Sequence, residues 1–420
     1  MSLVSPPRDD ELAAAAAAVF TDLLAATHLS RPSDLAAEAA ARARPLDIED
    51  VVLYLVDYEQ TTLVPLGGAG VPKRSALRIE GTLAGRTYAT SRIYPADTDH
   101  PDRRRLWVPM IDGTDRLGVM EMTVPLVDGE LSRALLTYCE RYAHLIGGQL
   151  VAKGLYGDTY ERARRSRPMS VAAELQWSLL PPLTFATRGL VVSGVVEPCY
   201  RAGGDSFDYA VDDDAAHLAV FDAMGHGLSA ACTSAVTLAA YRAARRQGLD
   251  LAGMYAEVHR TLAGEFRGDR FSTGVLARLD LDTGRLSWVN AGHPAALLLR
   301  GGKLVRELES RPSPPLGMPV DTGPVTVGTE ALEPGDRVLF YTDGVTEART
   351  ADGEFFTAER LAQFLERQAA AGLPTPETLR RLRLAILAHQ DGRLQDDATA
   401  LLVEWHRDAE LALLPQTVPA

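Results

Sequence analysis

Phe221-Asp222-Ala223-Met224-Gly225-His226-Gly227 lies between two apolar stretches of different character. Ala216-His217-Leu218-Ala219-Val220 before it reads as a buried strand, and the Ala/Thr/Leu-rich run from Leu228 onward reads as a helix. A carboxylate leaving a strand and entering a helix through two glycines is held firmly yet left accessible. The glycines let a cation or a phosphoryl group approach the backbone.

Three further acidic sites stand in comparable contexts. Asp343 follows the apolar run Val338-Leu339-Phe340-Tyr341, as Asp222 follows its own strand. Asp205 follows Gly203-Gly204, and the pair Asp396-Asp397 precedes the apolar run Thr399 to Val403. One Asp/Gly pair is ordinarily a turn. Four acidic sites of this kind in one region predict convergence, and converging carboxylates repel each other unless a divalent cation neutralises them. Oxygen donors without a His/Cys cluster favour magnesium or manganese over zinc.

Around these sites the pattern is mostly strands. Val191 to Glu197, Ser206 to Val211 and Ala216 to Phe221 come first, followed by helices over Ser229–Arg245 and Leu251–Phe266. Asp282-Thr283-Gly284 and Gly301-Gly302 mark two hairpins. A strand over Arg337–Tyr341, two helices between Thr357 and Gln390, and a last strand over Ala398–Trp405 complete the region. That order predicts two packed sheets covered by helices.

The first 150 residues carry a separate pattern. Helices are expected over 9–28 and from a Ser33-Asp34 cap through Leu35–Ala43. Strands follow over Val51–Val56, Thr61–Leu66, Leu106–Met110 and Arg116–Thr123, and a helix over Gly129–Lys153 closes the unit. Its stripe Leu135, Tyr138, Tyr142 and Leu145 suits either a partner helix or the unit's own sheet. Arg162, Arg164, Arg165 and Arg167 read as a solvated linker face. After Pro168 a short helix, Val171 to Leu180, turns Leu175 and Leu179 to one side and stops at Pro181-Pro182.

Composition narrows the function. The 420 residues, 46% hydrophobic and 24% charged, are those of an ordinary globular protein of two or three domains. A net charge of −13 disfavours nucleic acid and anionic membrane as partners. Cys139, Cys199 and Cys232 match no zinc spacing and read as reduced thiols. The apolar run Leu12 to Phe20 follows acidic residues and is too short to span a bilayer, so the expectation is a cytoplasmic protein.

The strings YRAGGDSFDY, FDAMGHGLSAA, FSTGVLARLDLDTGRLSWVNAGHPAALLL, LEPGDRVLFYTDGVTEA and LQDDATALLVEW together resemble the SpoIIE-type branch of the metal-dependent (PPM) serine/threonine phosphatases. The preceding AELQWSLLPP resembles the helix ahead of that catalytic domain. Leu106-Trp107-Val108-Pro109-Met110 with Leu117-Gly118-Val119-Met120 resembles a GAF sensor domain. These resemblances imply an α+β chain: a GAF-like domain over 9–153, a helical linker over 154–182, a β-sandwich flanked by helices in αββα layers over 183–406, and a tail over 407–420. They also imply two Mn2+ or Mg2+ ions and direct hydrolysis of phosphoserine or phosphothreonine. The implied substrate is a regulatory protein such as an anti-sigma factor antagonist.

Carried to this sequence, the resemblance implies that Asp222 bridges the metals, with the Ala223 carbonyl, Asp205, Asp343 and Asp396 as further ligands. Asp208 and Asp397 are expected farther out, and Arg201 is a candidate for holding phosphate. Met224 stands where the eukaryotic branch has histidine, and His226 and His293 are expected to be structural. The GAF-like domain, with a small-molecule or protein signal, is expected to control output through residues 129–182 in a homodimer. The alternative is a catalytically weak or inactive phosphatase-like binding protein.

Overall fold

A computed structural model describes residues 9–201, 203–392, 394, 396–405 and 408–415. The chain divides into two compact units, residues 1–166 with 411–420 and residues 167–410.

The first unit begins with α1 (Asp9–Thr27) and α2 (Leu35–Arg42). The strands β1 (Glu49–Val56), β2 (Thr62–Pro65) and β3 (Leu77–Arg78) follow. Next come α3 (Leu83–Thr90), β4 (Tyr94–Asp97), β5 (Arg103–Asp112) and β6 (Asp115–Pro125). The helices α4 (Arg133–Gly154) and α5 (Thr159–Arg164) close it. Among the described residues its antiparallel sheet has the order β3-β2-β1-β6-β5-β4. Two-sided burial explains why β1 and β6 are apolar nearly throughout: one face packs with α1, α2 and α4, the other with α3.

Sequence reading and structure differ here at three points. Asp34 makes no side-chain cap on α2; its carboxylate accepts from Arg31 N and Nε at 3.1 and 3.0 Å. The α4 stripe is core packing: Leu135 and Tyr142 are buried, Tyr138 and Leu145 pack on the same cluster, and Tyr142 Oη donates to Ala39 O at 2.7 Å. That stripe is therefore spent within the unit and is not free for a partner helix. The basic segment is a solvated face only in part: Arg162 and Arg167 are exposed, whereas Arg164 lies 4.4 Å over the Tyr58 ring and donates to Val56 O.

The second unit opens with α6 (Val171–Leu179), capped by Ser170 Oγ, and β7 (Thr184–Thr187). Then come β8 (Leu190–Glu197), β9 (Gly203–Val211), β10 (Ala215–His226), α7 (Gly227–Arg246) and α8 (Leu251–Phe266). The hairpins are β11 (Ser272–Asp280) with β12 (Arg285–Ala291), and β13 (Ala296–Arg300) with β14 (Lys303–Leu308). They are followed by β15 (Gly328–Ala331), β16 (Asp336–Tyr341), α9 (Asp343–Thr346), α10 (Ala358–Ala370), α11 (Thr375–His389) and β17 (Ala398–Trp405).

Two antiparallel sheets result, β15-β12-β11-β10-β9 and β14-β13-β16-β17-β8-β7. The faces between them bury Leu190, Phe207, Leu218, Trp288, Phe340 and Leu401. The outer face of the first sheet packs under α7 and α8 through Phe221, Tyr241 and Tyr255, and that of the second under α10 and α11 through Leu339, Leu361 and Leu382. The architecture is an αββα sandwich, and the whole chain is α+β. Residues 154–182 are shared between the units, with α5 in the first and α6 in the second. Of the tail, residues 408–415 are described and include a short 3-10 helix, Ala409–Leu413; the rest of 407–420 lies outside the described residues. Among the described residues no helix is long and apolar enough to cross a membrane.

Candidate active site

Strand pairing brings the carboxylates together. On the first sheet Asp222 of β10 lies opposite Asp205 of β9. On the second, β16 and β17 pair Tyr341 with Ala400, so Asp343 just after β16 and Asp396-Asp397 just before β17 emerge at the same end. The two sheets are joined there by side chains. Thr342 Oγ1 donates to Asp205 Oδ2 at 2.7 Å and accepts from Thr399 N at 2.9 Å. Gly204 N donates to Asp397 Oδ2 at 2.8 Å. The α6 helix adds a third tie, as Gln176 Nε2 donates to the carbonyl of Asp205.

Asp222, Asp343, Asp396 and Asp397 line an open cleft of about 900 Å³, with Arg201 at its edge. Asp205 is buried behind them. Absent side chains allow this crowding. A Cβ at Gly203 would fall 1.3 Å from Asp397 Oδ2, and one at Gly204 would fall 2.0 Å from the carbonyl oxygen of Ala223.

The electrostatics are those of uncompensated negative charge. Burial, then Asp222 and Asp397, holds Asp205 well above the usual carboxylate range. Burial, then Asp343 and Asp396, pushes Asp222 up to about 6. Burial, with Asp396 and Asp222 adding and the Gly204 N–H opposing, takes Asp397 to about 7. Asp343 is raised by burial, Glu347 and Asp396. An all-oxygen donor set of like charges fits hard divalent cations. As the side chains stand, no group of three or more His, Cys, Asp or Glu among the described residues is close enough together to hold a metal ion.

A pH dependence follows. In the unfolded chain these aspartates titrate near 4, roughly two to three units below Asp222 and Asp397 in the fold. Between about pH 4 and pH 7 the metal-free native state thus binds more protons than the unfolded state at these groups. Their contribution to stability is present below about pH 4 and is lost as pH rises through 6 to 7. With chelator present, Asp397→Asn should gain melting temperature relative to wild type as pH rises over this window. Parallel melting curves for the two proteins would contradict it.

Other expected residues lie elsewhere. Asp208 is not beside the cluster: it is on the opposite face of β9 from Asp205, held by Arg242 at 2.6 Å and Arg245 at 2.7 Å from α7. His293 is buried, with Nδ1 2.9 Å from Thr273 Oγ1 and its backbone clasped by Asn290, and burial lowers its pKa to about 4. That is a neutral structural histidine. His226 is exposed at the cleft, as the N-cap residue of α7. Arg201 is exposed and has no ion pair among the described residues. Thr342, Gln176 and Gly204 are not site residues by the sequence alone, although Thr342 stands beside Asp343 and Gly204 beside Asp205.

The family profile described as Stage II sporulation protein E (SpoIIE) matches residues 212–406. The chain is 33% identical over 134 residues to Protein IcfG of Synechocystis sp., an overlap of 32% of this chain and 20% of that protein. To phosphoserine phosphatase RsbU of Bacillus subtilis it is 23% identical over 236 residues, 56% of this chain and 69% of RsbU. Thus the match spans a fifth of one relative and about two thirds of the other. Among solved structures, the RsbU and RsbW domains of a Mycobacterium tuberculosis protein are 28% identical with a TM-score of 0.45, over 52% of this chain and 62% of that one. Residues 212–406, which carry Asp222, Asp343, Asp396 and Asp397, are thus similar to the SpoIIE family of phosphatases.

Proposed function

We propose that the chain is a protein phosphatase that removes phosphate from serine or threonine with the help of two Mn2+ or Mg2+ ions. The observation that carries this reading is the convergence of Asp205, Asp222, Asp343, Asp396 and Asp397 from both sheets on one cleft. When bound, such cations neutralise phosphoryl oxygens and activate water for in-line displacement. The phosphomonoester and water then yield the free hydroxyl and inorganic phosphate. Asp222, Asp205, Asp343, Asp396 and the Ala223 carbonyl are the proposed ligands. Asp397 lines the same cleft, with its Oδ2 accepting from the Gly204 N–H, and is proposed to stand outside the ligand set. Thr342 and the Gly204 N–H fix the aim of Asp205 and Asp397. Arg201 offers a guanidinium fork to two phosphate oxygens.

The name of RsbU, a phosphoserine phosphatase, supports a phosphoserine substrate; the family resemblance makes an anti-sigma factor antagonist the proposed protein that carries it. The first unit, with its sheet covered on both faces, is proposed as a GAF-like sensor that sets output through α6, whose Gln176 holds the Asp205 backbone.

One assay series tests this. Hydrolysis of p-nitrophenyl phosphate should require manganese or magnesium and stop with chelator. Arg201→Ala should raise KM several-fold, and residues 167–420 alone should turn over at a rate different from the full chain. No metal-dependent hydrolysis of the aryl phosphate or of any phosphopeptide would favour the inactive binding protein instead.

A further inference from the structure

Large apolar side chains exposed one at a time on a protein surface are ordinary. Three of those exposed on the second unit gather at one place. Val171 at the start of α6 (69% exposed), Met224 near the end of β10 (44%) and Leu228 at the start of α7 (51%) all line the carboxylate cleft. A grouped apolar rim around a charged floor marks an interaction surface. Resting on the phosphatase reading, we propose that this rim binds an apolar side chain one or two residues from the phosphorylated serine or threonine, so that the site selects phosphoprotein segments with apolar flanks.

The spacing supports that occupant. Met224 is two positions beyond Asp222 on one strand, about 7 Å along it. An extended substrate advances about 3.3 Å per residue, so with its phosphate over the carboxylates its first or second neighbour reaches the rim. The floor between Met224 and Leu228 is bare enough for a peptide backbone. Gly225 and Gly227 have φ of +90° and +73°, and a Cβ on either would meet nothing within 4 Å. Charge narrows the choice further: a chain of net charge −13 disfavours strongly acidic flanks, leaving apolar or basic ones.

Two phosphoserine heptapeptides, identical except for Leu or Gln two residues from the phosphoserine on each side, test the assignment on the full chain with manganese. The Leu peptide should show about tenfold higher kcat/KM, within the range a buried apolar side chain supplies. Met224→Gln with Leu228→Ser should bring the ratio of the two peptides to within twofold. Val305→Ser, another exposed apolar position that does not line the cleft, should leave the ratio intact. Melting curves of both proteins show whether they are folded. Equal kcat/KM for the two peptides in wild type overturns the inference while leaving the phosphatase reading standing. A dimeric wild type made monomeric by the rim substitutions, with the peptide ratio unchanged, also overturns it, because the rim would then bind a second copy. Failure to hydrolyse either peptide or p-nitrophenyl phosphate overturns both readings.

Discussion

Asp222→Asn should lower manganese-dependent turnover of p-nitrophenyl phosphate by at least about a thousandfold, equivalent to about 4 kcal/mol in the barrier. The same substitution should leave the metal-free fold intact or make it more stable. Both expectations come from one arrangement. Asp222 lies opposite Asp205 in the strand register, and its carboxyl is pushed up to about 6 by burial, Asp343 and Asp396. In chelator the wild-type site pays for that repulsion, and an amide of nearly the same shape removes one of the charges. With manganese present the order should reverse, because a ligand that binds only the native state stabilises in proportion to its affinity, and the variant has lost a central anionic donor. Melting curves with and without manganese should therefore cross: the variant higher in chelator, the wild type higher with metal. Near-normal turnover by a folded variant at saturating manganese would remove Asp222 from the centre of the mechanism. Loss of activity with an unfolded variant would show instead that Asp222 is needed for the fold.

Much of the C-terminal sandwich was legible in the sequence because its signals are local. The β11–β12 and β13–β14 hairpins are announced by an Asp/Gly and a Gly-Gly turn, and the buried strands are near-continuous apolar runs. The four aspartate positions were legible for the same reason: each stands where an apolar run meets a glycine or a strand end. What was hidden depends on register between distant strands. Nothing local to Asp208 says that it faces α7 rather than Asp205; that follows from the alternation of side chains along β9. Nothing near Gln176 announces that its amide reaches the Asp205 carbonyl, 29 residues away. In the first unit β3 and β4 stay hidden, because β3 has only two residues and β4, Tyr94-Pro95-Ala96-Asp97, carries a proline and no buried position. The α4 stripe shows a different limit: its spacing fits a partner helix or a sheet equally, and only the packing of Tyr142 on Ala39 and Phe20 decides between them.

Gly204→Ala should be among the most damaging single-methyl additions at the site, with Gly344→Ala, whose Cβ would fall 1.8 Å from the Asp397 carbonyl oxygen, and it should act on fold and activity together. The new Cβ would fall 2.0 Å from the Ala223 carbonyl oxygen and 2.8 Å from its carbon, and both are main-chain atoms of the neighbouring strand. No rotamer change relieves that contact, so β9 and β10 must separate at the point where Asp205 faces Asp222. Overpacking of this kind costs about 1–3 kcal/mol. For a unit of this size that is a melting temperature lower by roughly 2–12 °C. Separation would also move the Gly204 N–H away from Asp397 and shift the Ala223 carbonyl, a proposed metal ligand, so turnover should fall by about a hundredfold or more. Gly203→Ala provides the contrast. There the Cβ would collide with Asp397 Oδ2 at 1.3 Å, an atom at the end of a side chain that can rotate away. Its expected signature is lost activity with a smaller change in melting temperature. If Gly204→Ala melts and turns over like wild type, the close approach of β9 to the Ala223 carbonyl is not what builds the site. If Gly203→Ala is the less stable of the two, the division between a backbone clash and a displaced carboxylate is wrong.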